Sequence, residues 1–168
     1  SEFRPQPSPP GVVIREAVAE DIPALAALAA RGFIYDRFHN DPHLADGIAD
    51  RVHAAWLENA VKGGTGSVVL CAEVDGKPGG FFILSLDSLA GRYFGGAIGT
   101  LVLITVDGTL RRRGVAMALS LGSVAWLRDR GAVKFEVGTQ LANVPAANVY
   151  LKTGFRLVQT SVSLRRRA

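Results

Sequence analysis

The sequence predicts a mixed α/β fold in which helices cover both faces of one sheet. Apolar periodicity gives the element order β α α β β β α β α β. An Asp75-Gly76 turn between two apolar runs predicts an antiparallel hairpin. A strand, the arginine loop at 111–113, a helix and a further strand then follow in order. This last succession is typical of a crossover between two parallel strands.

The amino-terminal part of the fold is predicted to contain one strand and two helices. Alternating residues predict a strand at 12–17, and apolar residues at helical spacing predict helices at 20–31 and 44–61. Glycine follows each helix, which favours termination there. A mixed loop at 32–43 connects the two helices.

The remaining elements begin with the hairpin strands at 67–74 and 80–88. We expect Gly76 to adopt a left-handed conformation in the turn and Pro78 to exclude ladder pairing. The patterns that follow predict a strand within 97–106, a helix at 114–130, a strand at 133–139, a helix at 143–153 and a last strand at 155–164.

Composition sets broad limits on the class of protein. The 168 residues are 48% hydrophobic, which is enough for one core, so we expect a flexible tail over 1–10 and a single domain over 11–168. A net charge of +4 permits a nucleic acid, an acidic membrane or a phosphorylated small molecule as partner. Cys71 is the one cysteine, which excludes a disulfide within one chain. No apolar run reaches bilayer length, so a cytoplasmic protein without a membrane partner is expected.

The arginine loop is the strongest candidate for a binding site. It lies between an apolar strand and a helix, whose first-turn amides and dipole attract phosphate oxygens. Gly114 would let the backbone approach closely. A solvated basic turn is the alternative for these residues taken alone. The candidate phosphate contacts are Arg111, Arg112, Arg113, Gly114, Val115 and Ala116.

A second candidate region is the predicted helix near residue 150. Asn143, Ala146, Ala147 and Tyr150 lie on one helix face, which is polar at both ends and small in the middle. A ligand could lie closely along such a face. Asn143 is also a good N-cap, so a capped helix with a buried tyrosine is the alternative.

The arginine loop resembles the acetyl-CoA-binding motif of the GCN5-related N-acetyltransferase (GNAT) superfamily, Q/R-x-x-G-x-G/A, through Arg111, Gly114 and Ala116. The resemblance implies that the loop amides hold the CoA pyrophosphate and that strand main-chain groups at Ile104 and Val106 contact the pantetheine arm. It also implies a mostly antiparallel sheet whose central parallel pair is splayed around acetyl-CoA.

The later helix is similar to a second motif of the superfamily, N-x-x-A-x-x-x-Y followed by Gly-Phe. The resemblance implies that Asn143 hydrogen-bonds the cofactor and that Tyr150 donates a proton to the departing thiolate. A phenol, with a pKa of about 10, stays protonated until the sulfur of a thiol, with a pKa of about 8.5, requires the proton. We therefore expect an acetyl-CoA-dependent N-acetyltransferase that works by direct attack of an amine.

The acceptor side resembles the TDP-fucosamine (nucleotide 4-amino-sugar) acetyltransferases. The similar segments are Arg37-Phe38-His39 and the WLENAV stretch from Trp56. The resemblance implies a primary amine on a small molecule, such as a nucleotide-linked amino-sugar. Ordinary packing beneath the sheet is an equally good explanation for Trp56. The residues implied to contact substrate are Arg37, His39, Trp56 and Asn59.

Two functional alternatives stay open, a CoA-binding regulatory module without turnover and a transferase for a peptide or protein amine. A nucleic-acid interface at 111–113 and 165–167 is not expected, because no supporting binding pattern accompanies the arginines. A homodimer is a possible assembly.

The sequence does not identify a general base for the amine. A water chain could serve, and His39 and His53 lack a metal-ligand spacing with carboxylates on one helix, so no metal is expected. The candidate bases are Asp36, His39, Glu73, Asp87 and Glu136.

Overall fold

The computed structural model describes residues 8–36, 38–64, 66–89, 91–162 and 164. The strands are β1 (Val12–Glu16), β2 (Ser67–Val74), β3 (Lys77–Asp87), β4 (Ala97–Val106) and β5 (Ala132–Val137). The helices are α1 (Ile22–Gly32), α2 (Ile48–Val61), α3 (Gly91–Phe94), α4 (Val115–Arg128) and α5 (Val144–Lys152). The expectations for the tail over 1–7, for Arg37 and for 165–167 concern positions outside the described residues.

The five strands form one mixed sheet. Their order in the sheet is β1-β2-β3-β4-β5, which is also their order along the chain. The first four strands pair antiparallel, whereas β4 and β5 pair parallel across the α4 crossover. The predicted fold class, a mostly antiparallel sheet with one parallel pair, is confirmed.

Strand alternation directs apolar side chains to both faces of the sheet. Leu70 and Phe82 face a core that also contains Leu119 of α4. Val69 and Phe81, one residue earlier in each strand, face a second core with Leu57 of α2. Helices therefore cover both faces, as the sequence predicts, with α1 and α2 on one side and α4 and α5 on the other.

The predicted hairpin forms, with one difference inside β3. Asp75 and Gly76 both have left-handed backbone angles, φ 51° and 77°, as the turn requires. Pro78, however, lies within β3 opposite Glu73, so the expectation that it would exclude pairing is wrong. The register shifts at this point and leaves Gly79 as an extra residue. This bulge accommodates the proline that cannot donate to the ladder.

The last predicted strand does not form. Over 155–164, the described residues carry no strand pairing. Leu157, Val158 and Val162 are 77%, 93% and 85% exposed, so neither face of the segment is buried. Apolar alternation satisfies the strand pattern, but a strand requires a hydrogen-bonded neighbour, and this segment has none among the described residues.

Some helix boundaries also differ from the prediction. α2 begins at Ile48 and not at Leu44, because Gly47 before it has a left-handed φ of 74°. A helix cannot propagate through that conformation. The short helix α3 forms between β3 and β4, where the sequence predicts no helix. None of the described helices combines the length and the apolarity that a membrane crossing requires.

Candidate active site

The parallel strand β5 ends before its neighbour β4 does. Their pairing begins at Ala97 opposite Ala132 and ends at Leu101 opposite Val137, whereas β4 continues to Val106. The second half of β4 therefore has its β3 neighbour on one edge and no β5 neighbour on the other. This open edge is one wall of the candidate site.

A bulge in β4 follows directly after its last pair with β5. Ile83 and Leu84 of β3 face Leu103 and Leu101, which leaves Val102 as the extra residue. Val102 and Leu103 consequently both pack toward α1 and α2. A bulge bends its strand and increases the local twist, so the direction of β4 changes where its unpaired edge begins.

A cavity of about 740 Å³ lies beside the unpaired part of β4. It is bounded by the end of β4, the amino terminus of α4, one face of α5 and the end of α1. Its volume is in the range of sites for small molecules and cofactors. The cavity brings together most of the predicted donor-site residues, namely Ile104, Val106, Arg111, Arg112, Gly114, Val115, Ala116, Asn143 and Tyr150.

The amino terminus of α4 presents free backbone amides to this cavity. Gly114 precedes the helix with a left-handed φ of 80°, and the Ala118 N–H donates to its carbonyl at 2.9 Å. The N–H groups of Val115 and Ala116 belong to the first turn of α4 and therefore have no acceptor within the helix. Upstream, the carboxylate of Asp107 accepts from the Thr109 hydroxyl at 2.6 Å, and this hydrogen bond lowers the pKa of Asp107.

The three consecutive arginines do not all face the cavity. Arg111 and Arg112 line it. Arg113 instead extends to Asp75 in the β2–β3 turn, with 3.7 Å between its Nη2 and the carboxylate Oδ2. Both partners of this pair are largely exposed. The structure therefore separates Arg113 from the two arginines beside the helix terminus.

Tyr150 and Asn143 lie on the α5 wall of the cavity. The Tyr150 ring is buried against Phe82 and Phe155, with centroid distances of 6.4 and 6.0 Å. Burial raises the pKa of the Tyr150 phenol well above its usual range. Asn143 caps α5, because its Oδ1 accepts from the Ala146 N–H at 3.3 Å. This leaves the amide nitrogen of Asn143 free to donate.

The residues predicted to contact the acceptor are not brought together. Trp56 packs against the core between α2 and the sheet, and Asn59 is exposed on α2. His39 lies at a separate cleft, and Arg37 is outside the described residues. Substrate contact by these four residues stays a prediction.

The structure adds acceptor-side residues that sequence patterns did not identify. Ile34 and Tyr35, from the loop after α1, line the cavity together with Thr105 of β4. A β-carbon on Gly32 would lie 2.0 Å from the Thr105 hydroxyl, so the glycine permits the close approach of α1 to β4. The sequence signal that could have indicated this wall of the cavity is Thr105, a polar residue inside an apolar strand.

The charged side chains around the cavity are all basic. Among the described residues, Arg111, Arg112 and Lys152 line it, and no carboxylate or histidine does. Three of the candidate bases, Glu73, Asp36 and His39, are otherwise occupied. Glu73 accepts from Arg15 at 2.9 Å, and Asp36 contacts His39 at 2.5 Å.

Known proteins similar to this chain include two acetyltransferases and the structure of a third acetyltransferase. The dTDP-fucosamine acetyltransferase of Escherichia coli O6:H1 (strain CFT073) is 29% identical over 148 residues, covering 87% of this chain and 59% of the relative. The aminoglycoside N(6')-acetyltransferase type 1 of Klebsiella aerogenes is 33% identical over 89 residues, covering 53% of this chain and 59% of the relative. The chain thus spans 59% of the length of each of these relatives.

The similar structure is that of aminoglycoside N-acetyltransferase AAC(6')-Iy in complex with CoA. It has a TM-score of 0.69 at 21% identity and covers 99% of this chain and 100% of that one. At this identity the likeness supports the fold. A family model described as acetyltransferase (GNAT) family matches residues 28–155, which include β4, the arginine loop and α5. The match covers more than half of the residues of this chain, so the chain belongs to the acetyltransferase (GNAT) family.

Proposed function

We propose that the chain is an acetyl-CoA-dependent N-acetyltransferase whose acceptor is a primary amine on a small molecule. The observation that carries this proposal is the cavity beside the unpaired end of β4. A helix amino terminus, two arginines and a buried tyrosine surround that one space. The names of the two relatives, both acetyltransferases of amino-sugar compounds, support the same chemistry.

The residues present fit the CoA part of the donor. The free amides of Val115 and Ala116, with Arg111 and Arg112 beside them, match a pyrophosphate in charge and in hydrogen-bonding capacity. The open edge of β4 offers main-chain donors and acceptors to an amide-containing arm. Acetyl-CoA supplies an acetyl group activated as a thioester.

Tyr150 is the candidate proton donor in the transfer. As the amine nitrogen bonds to the acetyl carbon and the carbon–sulfur bond breaks, the phenol gives its proton to the sulfur. The nitrogen then loses its extra proton to water, and the phenolate regains a proton from water. Its raised pKa keeps it protonated throughout the neutral range. A main-chain N–H on the open edge of β4 is the candidate donor to the carbonyl oxygen.

The amine must lose a proton to attack, and the cavity restricts how this occurs. No carboxylate or histidine among the described residues lines it. The acceptor therefore enters as the neutral amine or transfers its proton to water. With Arg111 and Arg112 paired to the pyrophosphate, Lys152 is the charged side chain left in the lining among the described residues. Its positive charge favours an amine on an anionic molecule, such as a nucleotide-linked amino-sugar, over a polycationic acceptor.

The arginine loop provides a test of donor binding with an internal control. Replacing Arg111 with glutamine should raise the Kd for CoA about tenfold, because a charge-assisted hydrogen bond contributes about 1.5–3 kcal/mol. Arg113→Gln should leave the Kd nearly unchanged, because Arg113 pairs with Asp75 away from the cavity. Calorimetric titration of both variants with CoA measures the difference. Equal weakening by the two substitutions would contradict the proposed phosphate site.

Tyr150→Phe tests the proton donor. We expect kcat to fall about 100-fold, since general acid catalysis typically contributes at least that factor, while the Kd for CoA is preserved. Tyr93→Phe is the matched control, because Tyr93 is 86% exposed on α3. Steady-state kinetics with CoA titration separate the two effects. A Tyr150→Phe enzyme with unchanged kcat would remove this tyrosine from the chemistry.

The acceptor class is tested by thiol release from acetyl-CoA with a panel of amines. The panel contains a nucleotide-linked 4-amino-sugar, a neutral amino-sugar, an aminoglycoside, an amino acid and a peptide. We expect kcat/KM to be highest for the nucleotide-linked sugar and lowest for the polycationic aminoglycoside, because the cavity lining is basic. CoA binding without thiol release from any amine would indicate a regulatory module. Turnover of the peptide alone would indicate a protein substrate.

A further inference from the structure

A second group of chemically reactive side chains lies outside the acetyl-CoA cavity. Asp36 and His39 belong to the loop between α1 and α2, and His53 lies on α2. One potential ligand atom from each residue lies within 4.8 Å of the other two. Asp36 and His53 are buried, with exposures of 8% and 1%, and none of the three lines the acetyl-CoA cavity.

We propose that Asp36, His39 and His53 form a binding site for a divalent metal ion of the zinc class. Two imidazoles and one carboxylate are a ligand set that zinc accepts, with a water or a further group in the fourth position. Spacing along the sequence predicted no metal, because these residues do not share one helix. The fold brings them together from a loop and a helix.

The outer contacts of both histidines suit metal ligation. The Nε2 of His39 lies 2.9 Å from the Oδ1 of Asp50, and the Nδ1 of His53 donates to the Ala49 carbonyl at 2.8 Å. Each ring is thus held through one nitrogen by an outer acceptor, and the other nitrogen faces the cluster, where the Nδ1 of His39 contacts Asp36. Histidine ligands in metal sites characteristically have this outer acceptor, either a carboxylate or a backbone carbonyl.

The carboxylate of Asp36 is oriented in a similar way. Its Oδ1 accepts from the backbone N–H groups of Phe38 and His39, at 2.7 and 3.2 Å. Its Oδ2 lies 2.5 Å from the Nδ1 of His39, where a proton is shared in the absence of an ion. A tetrahedral ion with bonds of about 2.0 Å requires donors about 3.3 Å apart. The pair would therefore separate by less than about 1 Å as an ion replaces the proton.

The surroundings combine an apolar support with access from solvent. Phe33 stacks on the His53 ring with 4.4 Å between centroids, and the Phe38 ring meets it edge-on at 5.8 Å. An apolar shell of this kind limits water around bound ligands. A cleft of about 410 Å³ next to His39 and Asp50 provides an entry path and room for a water ligand.

The site would fix a loop that reaches the acetyl-CoA cavity. Asp36 directly follows Ile34 and Tyr35, which line that cavity. An ion joining Asp36 and His39 to His53 would tie this loop to α2. The expected role is therefore to order the acceptor-side wall, but the metal site itself does not depend on the proposed transferase activity.

Zinc binding by the full chain tests the proposal. After exposure to zinc and dialysis, we expect one ion per chain by atomic absorption, and cobalt substitution should give visible ligand-field bands. His39→Gln and Asp36→Asn should each reduce bound zinc to background. Asp50→Asn, which removes an outer acceptor, should weaken binding about 10- to 100-fold. His43→Gln is the matched control, because His43 lies in the same loop and outside the cluster.

Histidine-selective NMR of the unaltered chain provides a readout that does not depend on variant folding. Zinc should shift the ring resonances of two of the three histidines, His39 and His53, and leave those of His43 in place. The proposal is overturned if the chain retains no zinc or if zinc shifts the His43 resonances alone. It is also overturned if a folded His39→Gln variant binds zinc as the unaltered chain does. The competing account, in which protonated His39 bridges Asp36 and Asp50, predicts these outcomes.

Discussion

The edge of β4 that continues past the end of β5 is the constraint on which the candidate active site depends. Backbone N–H and C=O groups in a folded protein require partners, and a central strand normally finds them on both sides. After Leu101 and Val137, β4 loses its partner on one side. The first turn of α4 presents a second set of unpaired amides to the same space. Both sets are satisfied together if an extended ligand with amide and phosphate groups occupies the cavity.

The rest of the fold holds this opening in place. β3 pairs with β4 on both sides of the bulge, from Gly80 opposite Val106 to Asp87 opposite Ile98, so the bulge at Val102 bends β4 without releasing it from the sheet. α5 packs Tyr150 against Phe82 of β3 and thereby carries the tyrosine to the cavity wall. Gly32 lets the end of α1 contact Thr105 and close the cavity on the opposite side. Reactive groups are thus positioned by rigid elements.

The sequence predicts those parts of the fold that local patterns determine. Element order, the two-faced sheet and the position of the arginine loop follow from periodicity and from helix-start chemistry. The bulge at Val102 does not, because it lies in a continuous apolar run that offers no local signal. Over 155–164 the local pattern instead predicts an element that does not form. Its alternation resembles a strand, although no described strand pairs with it.

The candidate site was predictable to a similar extent. The residues proposed to bind the donor lie in two short segments, 104–116 and 143–150, so local motifs can predict them. Arg111 and Arg113 are chemically identical, and only the tertiary position of Asp75 separates them. The acceptor half and the cluster around His53 are assembled from a loop and helices whose contacts are not encoded in spacing.

The most direct measurement of the central claim is a crystal structure of the chain with acetyl-CoA. Our account places the pyrophosphate on the amides of Val115 and Ala116 and the arm along β4 beyond Val102. It also places the sulfur within hydrogen-bonding distance of the Tyr150 hydroxyl. A donor molecule bound elsewhere, or β4 and β5 paired continuously past Leu101 and Val137, would contradict it.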